Sequence, residues 1–130
     1  MPLTRRDFLA ASALTAGAGA VIAGTPQQVH AMYGLIGKIT AVAGRRDDLI
    51  AILLEGVTGM PGCLSYVVAQ DPADEHAIWI TEVWDSAEHH KASLSLPAVR
   101  DAIARGRPLI AGFDSHTVTK PVGGHGLPTP

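Results

Sequence analysis

Two successive strand–helix–strand patterns, divided from one another by glycine and proline, run from Tyr33 to Val118 and constrain the fold more than any other feature of the chain. Tyr33 to Val42 is rich in Ile, Leu and Val and is closed by Gly44, the signature of a strand. Arg45 to Val57 predicts a helix. Leu49, Ile52, Leu53 and Gly56 recur at helical spacing, and Asp47 and Asp48 sit in the first turn, where the helix dipole favours acids. Gly59-Met60-Pro61-Gly62 ends it, and Cys63 to Ala69 is a second strand. After the polar turn Asp71–Glu75, His76 to Trp84 makes a third strand, hairpinned to the second. Ser86 is a plausible N-cap for a helix running to Leu94, which Pro97 kinks or restarts and which ends at Gly106. Leu109 to Val118 is the fourth strand. The order βαββαβ is the split βαβ, ferredoxin-like arrangement of an α+β domain.

The strands do not alternate cleanly between apolar and polar. In the third, Ile78, Ile80 and Trp84 share one face and Trp79 and Val83 the other; in the first, Leu35 and Ile39 oppose Ile36 and Val42. Two helical regions cover one face of a four-stranded sheet, so the other is left as an apolar partner surface. The expected partner is a second copy, giving a homodimer through the open sheet face.

The N-terminus carries a different message. Thr4-Arg5-Arg6-Asp7-Phe8-Leu9 is a twin-arginine pattern, an apolar Ala/Gly-rich run follows to Gly24, and Val29-His30-Ala31 offers small residues to a signal peptidase. Residues 1–31 are therefore expected to be an export signal handled by the twin-arginine machinery, with a periplasmic or extracellular destination. Residues 32–120 form the domain and 121–130 a flexible or extended tail. Cys63 is the sole cysteine, so no disulfide framework is available within one chain. The net charge is −2 without a basic stripe, which argues against nucleic acid as a partner.

Chemistry concentrates where the third strand runs into the next helix. Glu82 and Trp84 share a strand face with Ile80, which supplies an apolar floor; if that face lies under the helices, a carboxylate and an indole line the space between sheet and helix. The alternative is that Trp84 is core and Glu82 pairs with a backbone group or an arginine. His90 shares a helical face with Ala87 and Leu94 and is expected to point inward, with His89 at the rim or in solvent. An imidazole accepts or donates a proton near neutral pH. Arg107, just before Pro108, is a candidate for holding an anionic substrate group, whereas Arg100 and Arg105 are expected to be solvated or paired with Asp101 and Glu55. No H-E-x-x-H motif, cysteine pair or phosphate-cradling glycine loop is present, so no metal or nucleotide site is expected.

Met60-Pro61-Gly62-Cys63 before the second strand, Glu82-x-Trp84-x-Ser86 leaving the third, then His90, Ser93-Leu94 and Arg107-Pro108-Leu109-Ile110-Ala111-Gly112-Phe113 together resemble the antibiotic biosynthesis monooxygenase family, which includes quinol monooxygenases. The resemblance covers roughly Tyr33 to Lys120. It implies a dimeric α+β barrel and oxygenation of an electron-rich aromatic such as a quinol, an anthrone or another phenolic compound, without flavin, haem or metal. Under that reading His90 is the base, Glu82 its orienter and Trp84 the aromatic wall, with Ile80, Leu94 and Arg107 contacting substrate. The chain departs from the family's best-understood anthrone oxygenases and haem-degrading enzymes, which use an asparagine beside a tryptophan: this sequence has no asparagine. The haem-degrading branch also has a Trp and a His where Ser93 and Ile103 stand. Haem degradation is not expected. Two rival readings from other classes are a non-catalytic small-molecule-binding or stress-associated dimer, and an accessory subunit of an exported redox enzyme.

Overall fold

A computed structural model describes residues 31–128, so the proposed leader lies, apart from Ala31, outside the described residues. Strand β1 spans Tyr33–Ala41, helix α1 Arg46–Gly56, β2 Cys63–Gln70 and β3 Ala77–Trp84. Helices α2 (Ala87–Ser93) and α3 (Pro97–Gly106) follow, and a 3-10 turn over Arg107–Leu109 leads into β4, Ile110–Thr119. The sheet order is β2-β3-β1-β4, with antiparallel pairing throughout. This is the ferredoxin-like α+β arrangement expected from the alternation of periods. Element ends differ from expectation by a residue or two, as fraying ends do.

Local chemistry explains the boundaries. The Ser86 side chain accepts a hydrogen bond from the His89 backbone N–H at 3.2 Å and so caps α2. Pro97 stands at the start of α3, where its missing N–H costs nothing; the helical region is broken there into two helices rather than bent. Helices α1 and α3 lie against one another closely enough that a Cβ on Gly56 would come within 2.8 Å of the Ala102 Cβ. Arg105 fastens the same pair from outside, donating to Asp101 at 2.8 Å and to Glu55 at 2.9 Å.

The core lies between this helical layer and one sheet face. Leu49 and Ile78 are fully buried there, with Ile39, Ala41 and Leu109 packed against them. Register carries this parity across the sheet: Leu35 pairs with Glu82 and Ile39 with Ile78, so Ile78, Ile80, Glu82 and Trp84 all face the helices. The opposite face carries Ile36, Val67, Trp79 and Val83, interspersed with Lys38, Thr40, Thr81, Ser115 and Thr117. Ile36 and Val67 are exposed, whereas Trp79 is half-buried, its indole N–H donating to Asp71 at 2.9 Å and its ring lying 5.4 Å below the Lys38 ammonium. Beyond β4 the chain continues without regular structure, and Pro121 comes to rest against Gly34. Among the described residues, no helix is long and apolar enough to cross a membrane.

Candidate active site

Between the sheet and the helices lies a cavity of about 350 Å³. Ile39, Ile80 and Ile110 contribute its floor and Leu49, Leu53, Val99 and Ala102 its helical wall. Glu82, Trp84, His90, Ser93, Tyr66 and Arg107 bring polar atoms to it. Leu94, Ile103 and Phe113 are exposed by 47%, 41% and 78%, so the side they occupy is open to solvent. Every residue singled out from sequence as contacting substrate or moving a proton therefore lines one space: Ile80, Glu82, Trp84, His90, Leu94 and Arg107.

The geometry within that space differs from the expected one. Trp84 is buried, and its indole N–H donates to Glu82 Oε1 at 2.9 Å, a bond the pleat permits because residues two apart on a strand point the same way. His90 packs edge-on against Trp84, with ring centroids 5.5 Å apart and planes at 73°, and lies 5.2 Å from the Tyr33 ring. Such aromatic contacts fix ring orientation without a polar bond. Among the described residues, no hydrogen bond joins Glu82 to His90. The carboxylate therefore does not orient the imidazole directly; it fixes the indole, and the indole braces the imidazole. Behind them Ser93, also buried, donates its hydroxyl to the His90 carbonyl at 2.6 Å, which steadies the turn of α2 that carries the ring.

His89 points elsewhere, as expected from its position on the helix. Its Nδ1 lies 2.6 Å from Asp85 Oδ1 at the surface, and the pair closes over Gly62, whose φ is +83°. A side chain at Gly62 would run into both groups, and the Gly62 carbonyl accepts from the Asp85 N–H at 2.9 Å. The Met60-Pro61-Gly62-Cys63 segment is thereby tied to the strand-to-helix corner that holds the site. Arg107 is exposed at the cavity edge and has no ion pair among the described residues, in contrast to Arg105.

Tyr66 is the lining residue that sequence reading missed. It stands directly across from Glu82 in the β2–β3 ladder. Burial, and then the charge of Glu82 and Cys63, push its phenol far above the ordinary tyrosine range. Burial is also the largest influence raising the Cys63 thiol, with Glu82 second, so this cysteine is held in its poorly nucleophilic protonated form.

An apolar cavity lined by a carboxylate-held indole and an imidazole suits proton transfer on a flat, hydrophobic molecule. The antibiotic biosynthesis monooxygenase profile matches residues 32–105. The chain belongs to the antibiotic biosynthesis monooxygenase family. A Chloroflexus aurantiacus protein classed in that family is 73% identical over 75% of this chain and 99% of its own, with a TM-score of 0.73. A Caulobacter crescentus protein classed likewise is 18% identical, covering 73% and 93% with a TM-score of 0.67. SnoaB, a cofactor-independent oxygenase from Streptomyces nogalater, is similar in fold at 11% identity, covering 73% and 97% with a TM-score of 0.62. No curated protein matches the sequence.

Proposed function

We propose that this protein is an exported, cofactor-independent oxygenase acting on a small quinol, anthrone or phenol. The observation that carries the reading is the convergence of Glu82, Trp84 and His90 on one apolar cavity. His90 removes the phenolic proton, and the resulting anion is electron-rich enough to reduce dioxygen without a metal or flavin. One oxygen atom is retained on a substrate carbon and the other leaves as water. The substrate supplies the electrons and ends two hydrogens poorer, as in a methylene becoming a carbonyl. Glu82 holds the Trp84 indole as a fixed wall, Ile80 and Leu94 supply apolar contact, and Arg107 takes an anionic substituent at the mouth. Two copies pair through the open sheet face, where Ile36 and Val67 are exposed, and the twin-arginine leader directs the protein out of the cytoplasm.

Oxygen uptake and product spectra with a panel of hydroquinones and anthrones, under air and under argon, test this reading. Turnover that needs oxygen and falls 10²- to 10⁴-fold in His90→Ala, the usual worth of a positioned acid–base group, supports it. Oxygen-independent binding without turnover favours the non-catalytic barrel instead. Unchanged oxidation in His90→Ala removes the histidine from the mechanism.

A further inference from the structure

The polar atoms of the cavity are not equally free. The Trp84 N–H is committed to Glu82, and the Ser93 hydroxyl to the His90 carbonyl. Arg107 stands at the edge, exposed. The Tyr66 hydroxyl is different. It makes no hydrogen bond to protein among the described residues, and no buried, partnerless side-chain oxygen occurs there. Its oxygen must therefore keep some open surface, and the space Tyr66 lines is the cavity. A tyrosine hydroxyl in an apolar setting ordinarily finds a partner, since leaving the donor unused is costly.

We propose that the Tyr66 hydroxyl is the donor that binds the substrate's oxygen and stabilises the oxyanion left when that oxygen loses its proton. The assignment rests on the oxygenase reading for the oxyanion, although the binding half stands without it. Three observations support it beyond the free hydroxyl. Tyr66 lies across the ladder from Glu82, whose carboxylate holds Trp84, and Trp84 packs against His90, so a short chain of contacts joins donor and base along one wall of the cavity. Burial and the neighbouring Glu82 charge keep the phenol protonated, hence donating, throughout the working pH range. The remaining walls are apolar, from aliphatic residues with Met60 and Phe113, so an oxygen on a ligand finds few other uncommitted donors. The ligand class that follows is a flat arene bearing a hydroxyl, preferred over the same arene without one.

Anaerobic ligand-observed NMR titration with 2-naphthol and with 2-methylnaphthalene, whose methyl group replaces the hydroxyl, tests the assignment independently of turnover. The wild-type protein should prefer 2-naphthol, and Tyr66→Phe should cut that preference about five-fold, the worth of one neutral hydrogen bond, while leaving 2-methylnaphthalene unaffected. Tyr66→Phe keeps the ring and its packing, and unchanged 2-methylnaphthalene affinity reports an intact cavity. Equal weakening of both ligands assigns Tyr66 to packing and overturns the proposal, as does a preference that survives the substitution or a wild-type cavity that binds neither probe. Tyrosine-dependent naphthol binding in a protein that oxidises no quinol would sink the oxygenase reading and leave the oxygen-binding role standing.

Discussion

Removing both partners of the Glu82–Trp84 contact, singly and together, measures how firmly the wall of the cavity is held. Trp84→Phe deletes the indole N–H and part of the buried ring; Glu82→Leu deletes the acceptor at similar volume. A hydrogen bond to a charged group contributes about 1.5–3 kcal/mol. Glu82 is only half-buried and borders an open cavity, so water recovers part of the loss and the lower end applies. Trp84→Phe also removes part of the ring against which His90 packs, with ring centroids 5.5 Å apart, and leaves a void there. That second cost is the same whether or not Glu82 is present, and it cancels in the double-mutant cycle. The expected coupling is therefore about 1.5 kcal/mol. Urea unfolding followed by circular dichroism gives each corner of the cycle without relying on the fluorophore being removed. Coupling within about 0.3 kcal/mol of zero, the scatter of independent sites, would mean that the 2.9 Å bond contributes nothing and that packing alone fixes the indole.

Two further expectations come from the Gly62 corner beside the site and from the turn between β2 and β3. Gly62→Ala forces a left-handed backbone on a residue with a Cβ and drives that atom into the Asp85–His89 pair, where Asp85 Oδ1 would be only 2.6 Å away. A loss of about 2 kcal/mol, or a melting temperature lower by roughly 8–16 °C, is expected, and an unchanged melting curve would contradict the packing described. Asp71 accepts from the Trp79 indole and from the Ala73 and Asp74 N–H groups, with Lys38 nearby; the Trp79 bond is the largest influence holding its carboxyl below the ordinary aspartate range. A depressed folded-state pKa adds stability that is fully present above the unfolded value and is lost as pH falls through the folded one. Asp71→Asn should therefore be less stable than wild type at pH 7, with the gap in urea midpoint narrowing below about pH 4. A gap that widens in acid would reverse the sign of the argument.

The fold was legible in the sequence because its signals are local. Helical spacing at Leu49, Ile52 and Leu53, the Ser86 cap and the Pro97 break each depend on residues within one or two turns, and the structure uses them as written. The convergence of Glu82, Trp84 and His90 was legible for a related reason. Period puts Glu82 and Trp84 on one strand face and turns His90 inward on its helix, and the register then places that strand face under the helices. What period alone misjudges is the partner of each polar atom. The family resemblance implies Glu82 as the orienter of His90, but the strand pleat brings the Trp84 N–H to the same carboxylate two residues away, and that donor takes it.

Tyr66 stands in no motif, and nothing in the sequence of its strand singles it out, because the start of that strand is irregular. Strict alternation from Cys63 assigns Cys63, Ser65 and Val67 to one sheet face and Tyr66 to the other. The ladder slips by one residue after Cys63: Cys63 pairs with Trp84 but Ser65 pairs with Val83, leaving Leu64 as the extra residue of a bulge. The slip inverts the parity of everything downstream, so Cys63 and Tyr66 both come to the helical side, and the tyrosine meets Glu82. Glycine at position 62 makes this corner feasible, since its left-handed backbone lets the strand begin tight beneath Asp85 and His89. Tyr66 shares the helical side with Val68, which pairs with Ile80, and brings an uncommitted hydroxyl to the cavity. This chain lacks any asparagine, and the Tyr66 hydroxyl is an uncommitted donor among the residues lining the cavity.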